Sequence, residues 1–317
     1  MAPVHKIAVI QLYSKPLAIE ENHARACDFI RQAAFEGAVL AVLPEYHLTG
    51  WHPDDPQFTV HASTYKDYLS SYCALATSLK INLVPGTIVS QHPCTTCTPS
   101  CTSCSSLKDS GSSFAPKLLN IAYFISCTGS ILGEYIKANL WHPERAFLSA
   151  TPKLPHPVIT TPIGKVGLLV CWDLAFPEAF RELIAAGAKI VVVPACWMLD
   201  DGPAYLRCLK RNPGFEPKFL DSMITTRCFE NTCAVVFANC GSTEAGQRLH
   251  ENESNPYVGV SQVAAPFVGA IERLGSEEGM VVAQLDMEIL DDAEENYRVR
   301  EDLAGLQWHY VYRHSAP

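Results

Sequence analysis

The chain has 317 residues, of which 48% are hydrophobic and 18% charged, a composition that supports a sizeable buried core and excludes an intrinsically disordered protein. Its net charge of −9 argues against nucleic acid as the main partner, and no run of lysine and arginine suggests a local exception. The sequence has no long apolar segment near its N-terminus and no run of about 18 apolar residues, so we expect no secretory signal, no membrane span and a cytoplasmic location.

The first predicted elements form a strand–helix–strand unit. Lys6–Leu12 and Ala38–Leu43 are apolar runs typical of buried strands. Between them, Ala18–Phe35 has apolar residues at helical spacing and is followed by a glycine cap at Gly37. A unit of this kind predicts an α/β fold in which helices cover a mostly parallel or mixed sheet.

Glu45 follows the second predicted strand, where α/β proteins commonly place functional loops. A lone glutamate in such a loop is more often a solvated residue. Here the apolar and aromatic neighbours Leu43, Tyr46 and Trp51 favour a partly buried side chain, and burial would raise the carboxyl pKa towards neutral pH. Glu45 is therefore a candidate general base.

A cysteine-rich segment follows the next predicted helix and strand, Thr64–Lys80 and Ile81–Ser90. Gln91–Pro116 is rich in Ser, Thr, Pro and Cys. It contains a C-x2-C-x3-C-x2-C array formed by Cys94, Cys97, Cys101 and Cys104. One hypothesis is a zinc or iron–sulfur site, although the separation between the two pairs is tighter than structural zinc sites use. The alternative that we favour is an exposed surface insertion that binds no metal.

A hairpin is predicted after this segment, with strands at Lys117–Ser126 and Ser130–Ile136. Lys137 comes directly after the hairpin, from where a lysine could stabilise a developing oxyanion, although a lone lysine is more often solvated. Glu144 lies seven positions further on. It would either position this lysine or pair with Arg145 at the surface.

The segment Lys165–Glu182 places a cysteine between a strand and a helix. Val166–Val170 is a short apolar run typical of a buried strand, and Cys171 follows it directly. Pro177 and Glu178 mark a helix start, where a fixed φ and a negative charge are both favourable. Because the positive end of a helix lowers a thiol pKa, the pattern predicts a nucleophile, with a buried structural cysteine as the alternative.

The rest of the chain continues the alternation of helices and strands. The predicted helices are Ala175–Ala186, Phe219–Asn231 and Met287–Tyr297, and the predicted strands are Lys189–Val193, Thr232–Ala238, Tyr257–Ala264 and Met280–Leu285. Asp200–Pro217 is predicted to be a loop because prolines and a glycine interrupt it. Trp197 follows a strand, so it is a candidate pocket residue, with a core aromatic as an equal alternative. The sequence contains no phosphate-binding loop and no H-x-x-x-H pair.

In their order and setting, Glu45, Lys137 and Cys171 resemble the nitrilase superfamily of carbon–nitrogen hydrolases. The matching segments are LPEYHLTG around Glu45, GEYIKANLWHPER around Lys137, GLLVCWDLAFPEAFREL around Cys171, and the stretches Arg227–Gly241 and Gly259–Gly269. The resemblance covers nearly the whole chain, and the joined motifs are far more specific than any one of them. The cysteine-rich insertion departs from the family pattern and takes no role from it.

The resemblance implies an αββα sandwich in a single domain over residues 1–317, with 91–116 as an insertion, that pairs into an αββααββα homodimer. It also implies a catalytic triad of Glu45, Lys137 and Cys171, with Glu144 beside it. In this mechanism Cys171 forms a thioester, and Lys137 with the backbone N–H of Trp172 holds the oxyanion. No metal and no organic cofactor is implied.

The residues after Cys171 bear on the substrate. True nitrilases resemble C-W-E-N at this point, whereas the C-W-D-L and F-P-E elements here look more like the amidase and N-carbamoyl-amine hydrolase branches. We therefore expect a small amide or N-carbamoyl substrate, with a nitrile as the alternative. The candidate pocket residues, by position, are Tyr46, His142, Trp172, Phe176 and Trp197. Two other possibilities stay open: acyl transfer from the thioester to an amine, and a metal-binding or interaction protein that works through its cysteine-rich insertion.

Overall fold

The structure is a computed structural model that describes residues 2–91, 118–151, 155–199, 202–243, 257–305, 308 and 310. The four cysteines of the predicted insertion lie outside these residues. Within the described ranges, the chain forms two sheets that pack face to face, with helices on both outer sides.

The first sheet has seven strands among the described residues. They are β1 (Val4–Gln11), β2 (Leu40–Val42), β3 (Asn82–Val84), β4 (Thr87–Gln91), β5 (Leu118–Ile125), β6 (Ile131–Ile136) and β13 (Gly279–Asp286). Their order is β13-β1-β2-β3-β5-β4, and β6 pairs with β5. β1, β2 and β3 are parallel to one another, whereas β13 and the β4, β5 and β6 group pair antiparallel.

The second sheet has six strands in the described part of the chain. They are β7 (Val158–Thr161), β8 (Gly164–Leu168), β9 (Ile190–Pro194), β10 (Ala234–Ala238), β11 (Gln262–Ala265) and β12 (Gly269–Arg273), in the order β12-β11-β10-β9-β8-β7. β8, β9 and β10 are parallel, and both edges of the sheet are antiparallel. The sheet is therefore mixed, as the sequence predicted.

Helices cover the outer face of each sheet. They are α1 (Ile19–Phe35), α2 (Pro56–Ser63), α3 (Tyr65–Leu79), α4 (Pro177–Ala185), α5 (Tyr205–Arg211), α6 (Phe215–Asn231), α7 (Glu288–Tyr297) and α8 (Val299–Ala304). α1 and α3 pack on the first sheet, and α4 and α6 pack on the second. The predicted αββα sandwich is confirmed. None of the helices in the described ranges is long and apolar enough to span a membrane.

Strand β1 shows why the sequence folds into layers. Successive side chains of a strand point to opposite faces. Ile7 and Val9 accordingly join the core between the two sheets, whereas Ala8 and Ile10 join the core beneath α1 and α3. A strand covered on both faces needs apolar residues at every position, which explains the unbroken hydrophobic run.

The predicted strand Ile81–Ser90 is in fact two strands, β3 and β4, separated at Gly86. Gly86 has a φ of +58°, and a Cβ at this position would lie 1.8 Å from the carbonyl oxygen of Pro44. Only glycine fits such a close approach without backbone movement. The break therefore lets the β3–β4 connection pack against the backbone just before Glu45.

The prediction that Asp200–Pro217 is a loop is wrong, because this stretch contains α5 and the start of α6. Pro217 did not break α6 because it occupies the first helical turn, where no backbone N–H is needed. The predicted strand Tyr257–Ala264 is shorter and shifted, forming β11. The sequence analysis also missed α2, although Asp55 caps it by accepting a hydrogen bond from the Gln57 N–H at 2.8 Å.

Candidate active site

Glu45, Lys137 and Cys171 meet at one cavity between the sheets. Glu45 follows β2 and Lys137 follows β6, both in the first sheet, while Cys171 comes shortly after β8 in the second. All three side chains are buried, and all three line the same cavity of about 260 Å³. The fold thus brings together residues that are distant in the sequence, such as Glu45 and Lys137, which lie 92 positions apart.

Lys137 links two carboxylates. Its Nζ donates to Glu45 Oε1 at 2.9 Å and to Glu144 Oε1 at 2.7 Å. Burial alone would lower the pKa of Lys137, but the attraction of Glu45 and Glu144 outweighs burial and raises this pKa well above its ordinary value. The two carboxylates therefore favour the charged ammonium form of Lys137. The alternative in which Glu144 pairs with Arg145 is wrong, since Arg145 Nε donates to the Leu140 carbonyl instead.

Glu45 is poised to exchange a proton near neutral pH. Burial raises its pKa, Lys137 opposes the rise, Glu144 adds to it, and the resulting pKa is about 6. The rise that the sequence predicted is confirmed. Two further groups orient the carboxylate: Asn120 Nδ2 donates to Oε1 at 2.7 Å and the Cys196 N–H donates to Oε2 at 3.0 Å. At a pH above about 6, the ionised form of Glu45 dominates and can accept a proton.

Glu144 is held as firmly as Glu45. Its Oε2 accepts the Trp141 N–H at 2.7 Å, and its Oε1 accepts a hydrogen bond from the Tyr46 hydroxyl in addition to that from Lys137. Tyr46 directly follows Glu45, and Trp141 lies four positions after Lys137, so both donors come from segments next to predicted triad residues. Glu144 therefore fixes where the Lys137 ammonium lies.

Burial favours the protonated thiol of Cys171 over a thiolate. Burial raises its pKa well above the ordinary value, the charge of Glu45 adds to the rise, and Lys137 opposes it. The prediction that a helix N-terminus lowers this pKa is wrong, because α4 begins only at Pro177, after a 3₁₀ turn at Cys171–Ala175. The thiol in turn lowers the pKa of Glu45, so the carboxyl group and the sulfur lie close to each other at the wall of the same cavity. Cys171 has a φ of +47°, a backbone conformation that costs a non-glycine residue about 1–2 kcal/mol.

Asp173 connects the loop of Lys137 with the turn of Cys171. Its buried carboxylate accepts hydrogen bonds from the Val170 N–H at 2.9 Å, from Tyr135 OH at 3.0 Å, and from the Asn139 N–H and Nδ2 at 2.9 and 2.8 Å. The loop and the turn come from different sheets. Asp173 thereby joins the segment around Lys137 to the turn that carries Cys171, a contact that was not predicted from the sequence.

The cavity wall is largely aromatic. Of the predicted pocket residues, Tyr46, Trp172 and Trp197 line it. Phe176 and His142 are not among the lining residues: Phe176 packs edge-on against Trp172, and His142 is exposed. The lining residues that sequence analysis did not assign are Trp51, Trp141, Pro143, Cys196, Met198, Gly202, Glu216 and Phe219. Trp51 and Trp141 could have been found, because each follows a triad residue within six positions.

The carboxylates of this site bond to groups of the protein itself. Those of Glu45 and Glu144 accept hydrogen bonds from Lys137 and from backbone or side-chain donors. Among the described residues, no group of three or more His, Cys, Asp or Glu side chains is arranged to hold a metal ion. The cavity offers a thiol, a carboxyl base and a cation bonded to that base.

Comparisons with known proteins agree with this geometry. The family model described as carbon-nitrogen hydrolase matches residues 6–294. The deaminated glutathione amidase of Bos taurus is 28% identical over 320 residues, which cover 96% of this chain and 84% of the relative. The omega-amidase NIT2 of Xenopus tropicalis is 25% identical over 308 residues, covering 93% of either chain.

The fold is also found among solved structures. The crystal structure of Saccharomyces cerevisiae Nit3, a member of branch 10 of the nitrilase superfamily, matches with a TM-score of 0.71 at 24% sequence identity. The match covers 93% of this chain and 94% of that one. The two packed sheets described above are therefore the sheets of the nitrilase fold.

Proposed function

This chain belongs to the carbon–nitrogen hydrolase family, and from that premise we propose that it hydrolyses the C–N bond of a small amide or N-carbamoyl compound through a thioester on Cys171. The observation that carries the proposal is that a buried thiol, a carboxyl group with a pKa of about 6 and the ammonium group bonded to that carboxyl all line one cavity. The amidase names of the relatives favour an amide over a nitrile.

The acylation step begins with the transfer of the Cys171 proton to Glu45. The sulfur then attacks the carbonyl carbon, and the carbonyl oxygen takes up the negative charge. Lys137 Nζ and the Trp172 N–H hold this oxyanion, and each such donor is typically worth roughly 3 kcal/mol. When the intermediate collapses, Glu45 returns the proton to the nitrogen, the C–N bond breaks, and ammonia or an amine leaves a thioester on Cys171.

Deacylation reverses these roles with water as the nucleophile. Glu45 takes a proton from a water molecule, and the resulting hydroxide adds to the thioester carbon. Collapse breaks the C–S bond, and the proton on Glu45 goes to the leaving sulfur. The sum of both steps converts one amide and one water into one acid and one amine, with Cys171 and Glu45 restored.

The high pKa of the Cys171 thiol fits this order of events. A thiol that is protonated until the substrate arrives is protected from reaction with other electrophiles, and Glu45 activates it only within the filled cavity. Lys137 is the only cation among the described lining residues, and it lies beside both the base and the sulfur. Its position suits an anion that forms during the reaction.

The test is ammonia release from a panel of aliphatic amides, ω-amides, N-carbamoyl amines and nitriles, with Cys171→Ala measured in parallel. We expect release from at least one amide or carbamoyl compound by the unaltered chain and none above background by Cys171→Ala. Cys171→Ala that folds normally and turns over at the unaltered rate would refute the mechanism. Cys171-dependent release from nitriles alone would replace the amidase assignment with a nitrilase.

A further inference from the structure

One acidic side chain of the cavity takes no part in the Glu45–Lys137–Glu144 network. Glu216 is the second residue of α6, is half-buried and lines the cavity. Its Oε2 accepts a hydrogen bond from Trp197 Nε1 at 2.9 Å. In the described part of the chain no cation pairs with it, and burial raises its pKa against the opposing effect of the Trp197 hydrogen bond. Glu216 is thus a carboxylate held at the cavity wall with no positive partner.

An aromatic surface joins Cys171 to Glu216. Four of the five tryptophans of the chain line the cavity, namely Trp51, Trp141, Trp172 and Trp197, and Tyr46 and Phe219 add to them. Trp172 directly follows the nucleophile, and its ring centroid lies 5.6 Å from that of Trp197. Trp197 in turn contacts Phe219 at 6.1 Å and bonds to Glu216. A substrate bound at Cys171 can therefore extend along aromatic faces that end at a carboxylate.

The charges of the cavity discriminate between substrates. Among the described lining residues, the acidic ones are Glu45, Glu144 and Glu216, and the only cation is Lys137. Because Lys137 is already bonded to two carboxylates, a carboxylate on the substrate would find no free positive partner. An ammonium group, in contrast, is attracted to aromatic faces and to an unpaired carboxylate.

We propose that Glu216 and the aromatic wall bind a protonated amine at the non-reacting end of the substrate, an inference that rests on the hydrolase function proposed above. The preferred substrates are then small amides or N-carbamoyl compounds that carry an amine. Glu216 would set substrate charge preference and take no part in the bond-breaking steps. In the absence of substrate, its carboxylate holds the Trp197 indole in place.

Three amides of equal chain length test the charge preference. They are δ-aminovaleramide, which ends in an ammonium group, hexanamide, which ends in a methyl group, and adipamate, which ends in a carboxylate. For the unaltered chain, we expect kcat/KM for δ-aminovaleramide to exceed that for hexanamide by a factor of about 10 or more. The ratio of kcat/KM for δ-aminovaleramide to that for adipamate should be larger still. A preference for hexanamide or adipamate would overturn the inference.

Variants of Glu216 separate charge recognition from a structural role. We expect Glu216→Gln to lower the ratio of kcat/KM for δ-aminovaleramide over hexanamide by about 10-fold or more, and Glu216→Lys to favour adipamate. Glu295→Gln, which removes an exposed glutamate of α7, is the matched control and should leave the ratio unchanged. If Glu216 only supports Trp197, Glu216→Gln lowers kcat/KM for all three amides by the same factor, and the inference fails.

A binding measurement distinguishes failure of this inference from failure of the proposed function. Cys171→Ala retains the cavity, and its tryptophans report binding by fluorescence. In Cys171→Ala, δ-aminovaleramide should bind more tightly than hexanamide, and this difference should disappear when Glu216→Gln is added. Such a result would support the charge preference even if no amide were hydrolysed. Equal or weaker binding of δ-aminovaleramide would refute it. Cys171-dependent hydrolysis that prefers hexanamide or adipamate would keep the hydrolase and remove only the charge preference.

Discussion

Replacing Glu144 by glutamine should move the acidic limb of the pH–rate profile. The Oε1 atoms of Glu144 and Glu45 lie less than about 6 Å apart, because each bonds to the same Lys137 Nζ, at 2.7 and 2.9 Å. Two unit charges at that separation repel by about 3 kcal/mol at an effective dielectric constant of about 20. This repulsion corresponds to about 2 pKa units on Glu45.

The direction of the shift follows from the charge of the base. Glu45 acts in its ionised form, so kcat/KM falls as the pH decreases through its pKa of about 6. Because Glu144 raises that pKa, Glu144→Gln should lower the midpoint of the acidic limb to about pH 4, by the same Coulomb estimate. The variant also loses rate, since the amide nitrogen of glutamine replaces one acceptor oxygen. Either the hydrogen bond from the Trp141 N–H to Oε2 is lost, or those from Tyr46 and Lys137 to Oε1 are lost.

The assay is kcat/KM for one amide between about pH 3 and pH 9, which reports ionisations of the free enzyme and covers both sides of the two predicted midpoints. Glu134→Gln removes the same charge from an exposed position on β6 and should leave the midpoint near pH 6. A midpoint in Glu144→Gln that stays at pH 6 or moves upward would refute the electrostatic account of Glu45. Lower activity with an unchanged midpoint would mean that Glu144 acts by position alone.

Three further substitutions test other parts of the site. Lys137→Met should lower kcat/KM by about 10²–10³. It should also lower the free energy of unfolding at neutral pH by about 3–5 kcal/mol, because two buried carboxylates lose their cation. Unchanged stability in thermal unfolding would show that Lys137 does not stabilise these carboxylates. Asn120→Ala removes the hydrogen bond to Glu45 Oε1 and should lower kcat/KM about 10-fold, so full activity would show that the bond does not orient the base. Gly86→Ala should destabilise the protein by about 2–3 kcal/mol and lower activity, because the new Cβ would displace Pro44 and with it Glu45. The control is Gly164→Ala, where no atom lies within 4 Å of a new Cβ, and its loss of stability should be smaller. Equal losses of stability in the two variants would contradict this reasoning.

The layered architecture could be predicted from the sequence because its causes are local. The run Ile7–Ile10 is apolar at every position, which only a strand covered on both faces requires, and the helix that follows it has apolar residues at helical spacing. The order of the elements predicted a mixed sheet covered by helices. The motifs around Glu45, Lys137 and Cys171 predicted the family, which is confirmed, and the resemblance to that family implied the sandwich.

The electrostatic state of the site could be predicted from the sequence only in part: the rise in the pKa of Glu45 was predicted, whereas the rise in the pKa of Cys171 was not. The pKa values of Glu45 and Cys171 depend on burial and on charges that come from segments far apart in the chain. Helix position, the local signal available for Cys171, gave the wrong direction for the thiol pKa, because burial dominates. Asn120 and Asp173 were missed for the same reason, since each acts through contacts across strands or between sheets.

The pocket was predicted in part, and its errors also have a physical basis. Position near a triad residue correctly indicated Tyr46 and Trp172, and position after a strand correctly indicated Trp197, but position near the triad failed for His142 and Phe176. Both lie on short turns or at turn ends, where adjacent side chains point in different directions. Glu216 was missed because it reaches the cavity from the first turn of α6. That turn lies in the stretch that was predicted to be a loop.

The measurement that tests the central claim most directly is the mass of the intact protein after acid quenching during turnover of an amide substrate. The account predicts a species heavier than the free chain by the mass of the acyl group, lost on mild treatment with hydroxylamine, absent in Cys171→Ala, and located on Cys171 by peptide mapping. Rapid turnover by the unaltered chain with no Cys171 adduct at any quench time, together with turnover by Cys171→Ala, would contradict the thioester mechanism.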